Sequence, residues 1–289
     1  MEDKDITRRD FVSITVGAGF AAATGIQAAA QQRVVETDVQ IKTADGVCDA
    51  AFIHPANGAH PGVLIWTDAF GLRPSMREMG RKLAAEGYSV LVPNPFYRVA
   101  KAPVVENASN FNFNDPAQRS KLTPLMGSIG AAGAAERDAA TFVAWLDTQP
   151  QIDRTKKIGT QGYCMGGPLV VRTAAAVSNR IGAGGSFHGG GLVTANLDSP
   201  HLLASKINAR MYFGIAASDD TQQPDAKTKL KEAFAASKAP AEIEVYAQSQ
   251  HGWCVSDMPL QANGQPTYNK VDADRAWSKL LALYKAGLA

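Results

Sequence analysis

The segment Gly162-Tyr163-Cys164-Met165-Gly166-Gly167 has the residue types and spacing for covalent chemistry in this 289-residue chain. The cysteine has a glycine two residues before it and another two after. A strand-like stretch, 156–161, precedes it, and a helical one, 168–176, follows. This is the nucleophile-elbow pattern G-x-S-x-G with Cys in the Ser position. The glycines let strand and helix approach without Cβ clashes. The turn lifts the thiol above a sheet, at a helix N-terminus that favours the thiolate. It also leaves the Met165 amide free to donate to an oxyanion. At this chain's Gly and Cys frequencies, chance would supply roughly 0.02 such matches.

A thiol nucleophile needs a base, and the base needs an orienting group. The elbow fold places nucleophile, acid and histidine in that chain order. Of five histidines, His54 and His60 precede the elbow and flank a surface-like turn, and His201 sits in a loop after Ser199-Pro200. His251 follows the apolar strand 242–246 and precedes the last helix, which is where the order places the base. For the acid, Asp219 and Asp220 follow the strand 211–215. Either could reach an imidazole N–H, and the residues alone do not separate them.

The elements that must position these groups alternate. Residues 34–43 and 47–54 read as a hairpin about Ala44-Asp45-Gly46. Strands at 62–66, 88–92, 156–161, 181–187, 211–215 and 242–246 are interleaved with helices. Met76, Met79 and Leu83 mark one helix that starts at Pro74; Ala139, Phe142, Val143 and Leu146 mark another. Further helices fall at 168–176 and 226–237, and Trp277, Leu280, Leu281 and Tyr284 mark the last. The polar, Asn-rich stretch 93–116 is long enough to be functional. The pattern predicts an α/β fold whose mostly parallel central sheet has helices on both faces, with its site at the carboxyl ends of the strands.

Composition narrows the class. With 45% hydrophobic and 19% charged residues the chain is globular rather than disordered. A net charge of +2 without a concentrated basic face argues against nucleic acid as a partner. Three cysteines leave at least one thiol unpaired in a monomer. The N-terminus carries Arg8-Arg9-Asp10-Phe11, a short apolar run to about Ala23, and Ala28-Ala29-Ala30, the form of a twin-arginine export signal. The expected organisation is a signal peptide at 1–30, its apolar run too short to span a membrane, and one catalytic domain at 31–289. The expected location is the periplasm or the exterior, with the twin-arginine translocase and signal peptidase as partners during export and no stable membrane anchoring.

The residues then resemble the dienelactone hydrolase family of α/β-hydrolases over roughly 35–286. The Gly-Tyr-Cys-Met-Gly-Gly segment carries the resemblance most strongly. Asp220 followed by Pro224 is similar to the family's acid and its proline four residues on, and this favours Asp220 over Asp219. His251-Gly252-Trp253 is similar to the family's histidine segment, which implies His251 as base and Trp253 beside the substrate. Thr67-Asp68-Ala69-Phe70-Gly71 looks like the family's Gln-Glu-Ile-Phe-Gly. The resemblance implies that Asp68 tunes Cys164 and that Ala69 gives the second oxyanion amide. Pro93-Asn94-Pro95-Phe96-Tyr97-Arg98 implies Arg98 as a clamp for a substrate carboxylate. The family's second arginine falls on Val255. Phe187-His188-Gly189 matches a Tyr-Tyr-Gly segment, which implies His188 in the pocket wall.

The expected activity is hydrolysis of a small-molecule carboxylic ester or lactone, carboxymethylenebutenolide-like, by a monomer through Cys164, Asp220 and His251. No cofactor and no metal is expected: neither zinc-type Cys/His spacing nor a post-strand G-x-G-x-x-G is present. Two rivals are an exported thiol redox protein that pairs Cys164 with Cys254, and a non-catalytic binding protein on a hydrolase scaffold.

Overall fold

A computed structural model describes residues 33–237 and 239–289. The predicted signal at 1–30 lies outside the described residues. β1 (Val34–Thr43) and β2 (Gly46–Pro55) form the predicted hairpin. β3 (Gly62–Trp66), α1 (Pro74–Ala85) and β4 (Ser89–Pro93) follow. Next come α2 (Pro116–Gly130), α3 (Ala134–Thr148), β5 (Ile158–Tyr163), α4 (Gly166–Ala176) and β6 (Ile181–Phe187). The chain ends with β7 (Arg210–Ala216), α5 (Ala217–Gln222), α6 (Ala226–Ser237), β8 (Ala241–Tyr246) and α7 (Lys270–Gly287).

The eight strands form one sheet in the order β1-β2-β4-β3-β5-β6-β7-β8. β1 pairs with β2 and β2 with β4 antiparallel; the other six strands are mutually parallel. β3, β4 and β5 are buried along their whole lengths, as expected of parallel strands covered on both faces. α1 and α7 cover one face, with a buried layer that includes Ile53, Ile65, Tyr163, Phe187, Trp253 and Leu280. α3, α4 and α6 cover the other, around Leu64, Trp66, Phe142, Val170 and Phe213.

Two helices depart from the sequence expectation. α2 begins on Pro116, with the Asp115 carboxylate accepting from the Ala117 amide, a strong start signal. Its buried stripe is only Leu122, Leu125 and Ile129, and Pro124 and Gly127 interrupt the pattern. α5 is six residues long with no buried residue, so it has no periodicity to detect, yet it carries both candidate acids.

The β5–α4 junction decides the position of everything near the site. A Cβ on Gly162 would lie 2.2 Å from the Gly166 carbonyl oxygen. One on Gly166 would lie 2.5 Å from the Trp66 oxygen, and one on Gly167 2.5 Å from the Gly189 Cα. The ends of β3 and β6 therefore touch the first turn of α4. Gly162→Ala should destabilise the protein by about 3 kcal/mol through overpacking. Gly127→Ala, in α2 with nothing within 4 Å of the new Cβ, should stabilise it by about 0.5–1 kcal/mol. Urea unfolding of both variants checks the contrast.

Candidate active site

Cys164 sits between β5 and α4 with φ +52°, a left-handed conformation that costs a non-glycine residue about 1–3 kcal/mol. Its amide donates to the Phe187 carbonyl at 3.1 Å and to His188 Nδ1 at 3.1 Å. Its carbonyl accepts from the amides of Gly167 at 3.0 Å and Gly190 at 3.3 Å. The turn after β6 thus holds the elbow from outside, while α4 holds it from within.

α5 supplies the histidine's support. The Ala217 amide donates to the Ser249 carbonyl at 2.9 Å, and Ser218 Oγ accepts from the His251 amide at 2.9 Å. His251 Nδ1 lies 2.9 and 3.0 Å from the two carboxylate oxygens of Asp219. Asp220 does not reach the imidazole. Neighbouring residues on a helix point about 100° apart, and Asp220 turns to Lys227, whose Nζ donates to both its oxygens at 2.7 Å. The carboxylate bound to the imidazole is therefore Asp219 and not the expected Asp220.

The charge on His251 has a clear origin. Burial opposes it, but the hydrogen bonds to Asp219 and to Cys164 outweigh burial and hold the imidazole up to about 10. With Asp219 on Nδ1, the other ring nitrogen faces the sulfur. An imidazolium next to sulfur is ready to protonate a leaving group.

The oxyanion candidates are well placed by the close contact of α4 with the end of β3. Neither the Met165 nor the Ala69 amide donates to another group among the described residues. The loop that carries Ala69 is held by a buried ion pair. Arg73 Nη1 and Nη2 bind the two oxygens of Asp68 at 2.7 and 2.8 Å, and Nε and Nη2 bind those of Asp257 at 2.8 Å. The Gly71 carbonyl takes the fifth N–H at 3.2 Å. Every guanidinium donor is satisfied in a fully buried position, as its desolvation requires. Asp68 also accepts from the Phe70 amide at 2.9 Å. Its carboxylate is directed at Arg73, not at Cys164, which corrects its expected tuning role.

Three further expectations change. Arg98 donates to Asp45 at 2.6 and 3.0 Å and to buried Asp138 at 2.7 and 2.8 Å. Its cation neutralises a carboxylate that α3 buries, so it is not a free clamp. His188 and Trp253 are both fully buried. Trp253 stacks on Tyr246 with centroids 4.6 Å apart, and neither ring forms an exposed wall. Cys254 lines a separate cavity of about 210 Å³ between α1 and α7, where burial pushes its thiol well above the ordinary range. All three cysteines are free.

Open space beside the elbow lies on the α3–α4 side. A cavity of about 300 Å³ is bordered by Met165, Ile129, Leu169, Arg172 and Gly190. Arg172 is paired with Glu136 at 2.8 Å and Asp198 at 3.0 Å. A smaller hollow of about 120 Å³ touches Asp219, Asp220 and Gly189. Among the described residues no group of three or more His, Cys, Asp or Glu side chains could hold a metal. Sequence reasoning missed Arg73, Asp138 and Asp257: no motif marks them, and the Arg73–Asp257 and Arg98–Asp138 pairs join residues far apart in the chain.

Comparison with known proteins matches this geometry. The chain fits the family model of the Dienelactone hydrolase family over residues 48–288. It is 25% identical over 288 residues to a provisionally named carboxymethylenebutenolidase of Methylorubrum extorquens, covering 95% of this chain and 91% of that one. It is 24% identical over 218 residues to the carboxymethylenebutenolidase of Rhodococcus opacus, covering 74% and 79%. A provisionally named dienelactone hydrolase from Klebsiella pneumoniae superposes with a TM-score of 0.70 at 22% identity, over 88% of this chain and 99% of that one.

Two predictions follow from the charges. The His251 ring titrates near pH 10 in the native protein, against about 6.5 unfolded. Its charge therefore stabilises the fold fully below pH 6.5, and that contribution is lost as pH rises through about 10. Asp219→Asn should lower the midpoint, whereas Asp220→Asn should leave it within about half a unit. Ring-proton NMR titration distinguishes them. Arg73→Met leaves Asp68 buried and unpaired and should cost about 3–5 kcal/mol in urea unfolding.

Proposed function

Because this chain belongs to the dienelactone hydrolase family, we propose that it hydrolyses carboxylic esters or lactones through a thioester on Cys164, with His251 as proton carrier and Asp219 as its orienter. The observation that carries this reading is His251 itself. One nitrogen is bound to Asp219 and the ring is charged beside the sulfur of a left-handed elbow.

The thiolate attacks the ester carbonyl carbon. The carbonyl π pair moves to oxygen, and the amides of Met165 and Ala69 receive the oxyanion. Collapse breaks the acyl C–O bond, and the leaving alkoxide takes the proton from His251. The neutral ring then removes a proton from water, whose oxygen attacks the thioester. Collapse of the second adduct releases the carboxylic acid and restores thiolate and imidazolium. The Cys164–Cys254 redox alternative finds less support, because Cys254 lies in the α1–α7 cavity.

The favoured substrate is an uncharged ester. Arg98 is held by Asp45 and Asp138, and Val255 is buried and apolar. Arg172 and Lys227, the cations at the two hollows, are already paired with carboxylates. A carboxylate on the acyl group would meet Glu136, Asp198 and Asp220 without a spare cation. Export by the twin-arginine route, ahead of periplasmic action, is part of the same proposal and rests on Arg8-Arg9-Asp10-Phe11.

The test compares p-nitrophenyl butyrate with the hemisuccinate, which adds a terminal carboxylate. We expect kcat/KM for butyrate to exceed that for hemisuccinate by about tenfold or more, since like-charge juxtaposition is costly. Arg98→Ala should leave the ratio unchanged, and Cys164→Ala should abolish turnover and the acyl-enzyme mass. Turnover that survives Cys164→Ala would overturn the mechanism.

A further inference from the structure

Cys164 and His188 are the two non-glycine residues with left-handed backbone among the described residues, at φ +52° and +41°. They are hydrogen-bonded to each other. The His188 amide donates to the Gly214 carbonyl of β7 at 2.8 Å, which fixes the start of the turn after β6. From there its ring reaches back, and Nδ1 accepts from the Cys164 amide at 3.1 Å. The ring is fully buried, with centroids 5.0 Å from His251 and 5.1 Å from Trp253, both edge-on.

Accepting at Nδ1 puts the ring proton on Nε2, and Nε2 has no partner among the described residues. A buried unpartnered donor is costly. A phenyl ring would fill the same space among Tyr163, Trp253 and His251 without that cost. What histidine adds over phenylalanine is tolerance of positive φ and the Nδ1 lone pair, and that lone pair shares the nucleophile's own amide with the Phe187 carbonyl. Burial, with the His251 charge beside it, holds His188 well below the usual histidine range, so Nδ1 stays an acceptor.

We propose that His188 is a positioning residue: its Nδ1 holds the Cys164 amide, and with it the left-handed turn that aims Sγ at His251. The inference rests on the reading of Cys164 as nucleophile. The His188 ring lines neither hollow at the site and meets His251 edge-on, so its polar contact with the elbow is through the Cys164 amide. Its effect is therefore on the rate of sulfur chemistry, not on substrate affinity.

The experiment uses the full chain and three proteins: wild type, His188→Phe and His188→Asn. Asparagine offers Oδ1 near the place of Nδ1 and tolerates positive φ. Each is assayed for kcat and KM on p-nitrophenyl butyrate, for the rate of Cys164 alkylation by iodoacetamide, and for urea unfolding. We expect His188→Phe to lose on the order of 10–100-fold in kcat and a parallel factor in alkylation, with KM within about threefold. His188→Asn should recover both rates to within about fivefold of wild type. A folded Phe variant with wild-type alkylation and kcat overturns the proposal. So does a folded Asn variant whose rates fall roughly thirtyfold or more, whether or not the Phe variant folds. If none of the three hydrolyses the ester but alkylation keeps the expected order, the positioning role stands and the ester-hydrolysis reading falls.

Discussion

The fold converges on one steric constraint, the close passage of β5 into α4. Gly162 lies so near the first turn of α4, and Gly166 and Gly167 so near the ends of β3 and β6, that no side chain fits at any of them. The contact forces Cys164 into a left-handed conformation and turns its carbonyl toward two amides of the neighbouring turns. It also brings the loop after β3 against the first turn of α4, where the Ala69 and Met165 amides stand unengaged. The left-handed Cys164 and the two unengaged amides are thus consequences of a single backbone approach, with the Asp219–His251 pair delivered separately by α5 and the loop after β8.

Charge is distributed by the same economy of space. Every cation near the site is committed: Arg73 to Asp68 and Asp257, Arg98 to Asp45 and Asp138, Arg172 to Glu136 and Asp198, Lys227 to Asp220. The buried members of these sets need their partners, since an unpaired ion in the interior is far more costly than a weak pair is favourable. Among the described residues, the positive group left facing the sulfur is the imidazolium of His251, sustained by Asp219 and Cys164 against its burial.

The sheet, the elbow and the histidine were legible in the sequence because each rests on local pattern. Apolar runs marked the parallel strands, and glycine spacing marked the elbow. The choice between Asp219 and Asp220 was not legible, because it depends on which way a six-residue helix turns each side chain, and α5 buries none of its own residues. Proline spacing favoured Asp220; helix geometry gives that residue to Lys227. Arg98 and Asp68 matched their motifs in type, but their engagement was decided by Asp138, forty residues from Arg98, and by Arg73, a near neighbour of Asp68 that no motif announces. α2 was hidden because a stripe of three apolar residues is shared with Pro124 and Gly127.

Arg73 has a wider consequence. Its five N–H groups bind the loop after β3 through Asp68 and Gly71, and the segment after the histidine through Asp257. Asp257 in turn accepts from the Ala108 amide of the segment between β4 and α2 at 3.4 Å. A dry ionic rivet thus fastens three surface segments at one point. Lifting the segment of Asp68 or of Asp257 would break an ion pair to a desolvated Arg73, at a cost of about 3–5 kcal/mol and hence a population on the order of one in a thousand, whereas the Ala108 segment is held by an amide alone. The cleft is therefore stiff along that rim. Accommodation of bulkier substrates falls to the opposite rim, where Gly130 and Gly133 flank the short connection from α2 to α3 and the tie is a half-exposed Arg137, which donates to the Ala132 carbonyl at 3.4 Å and to Asp45 at 3.1 Å.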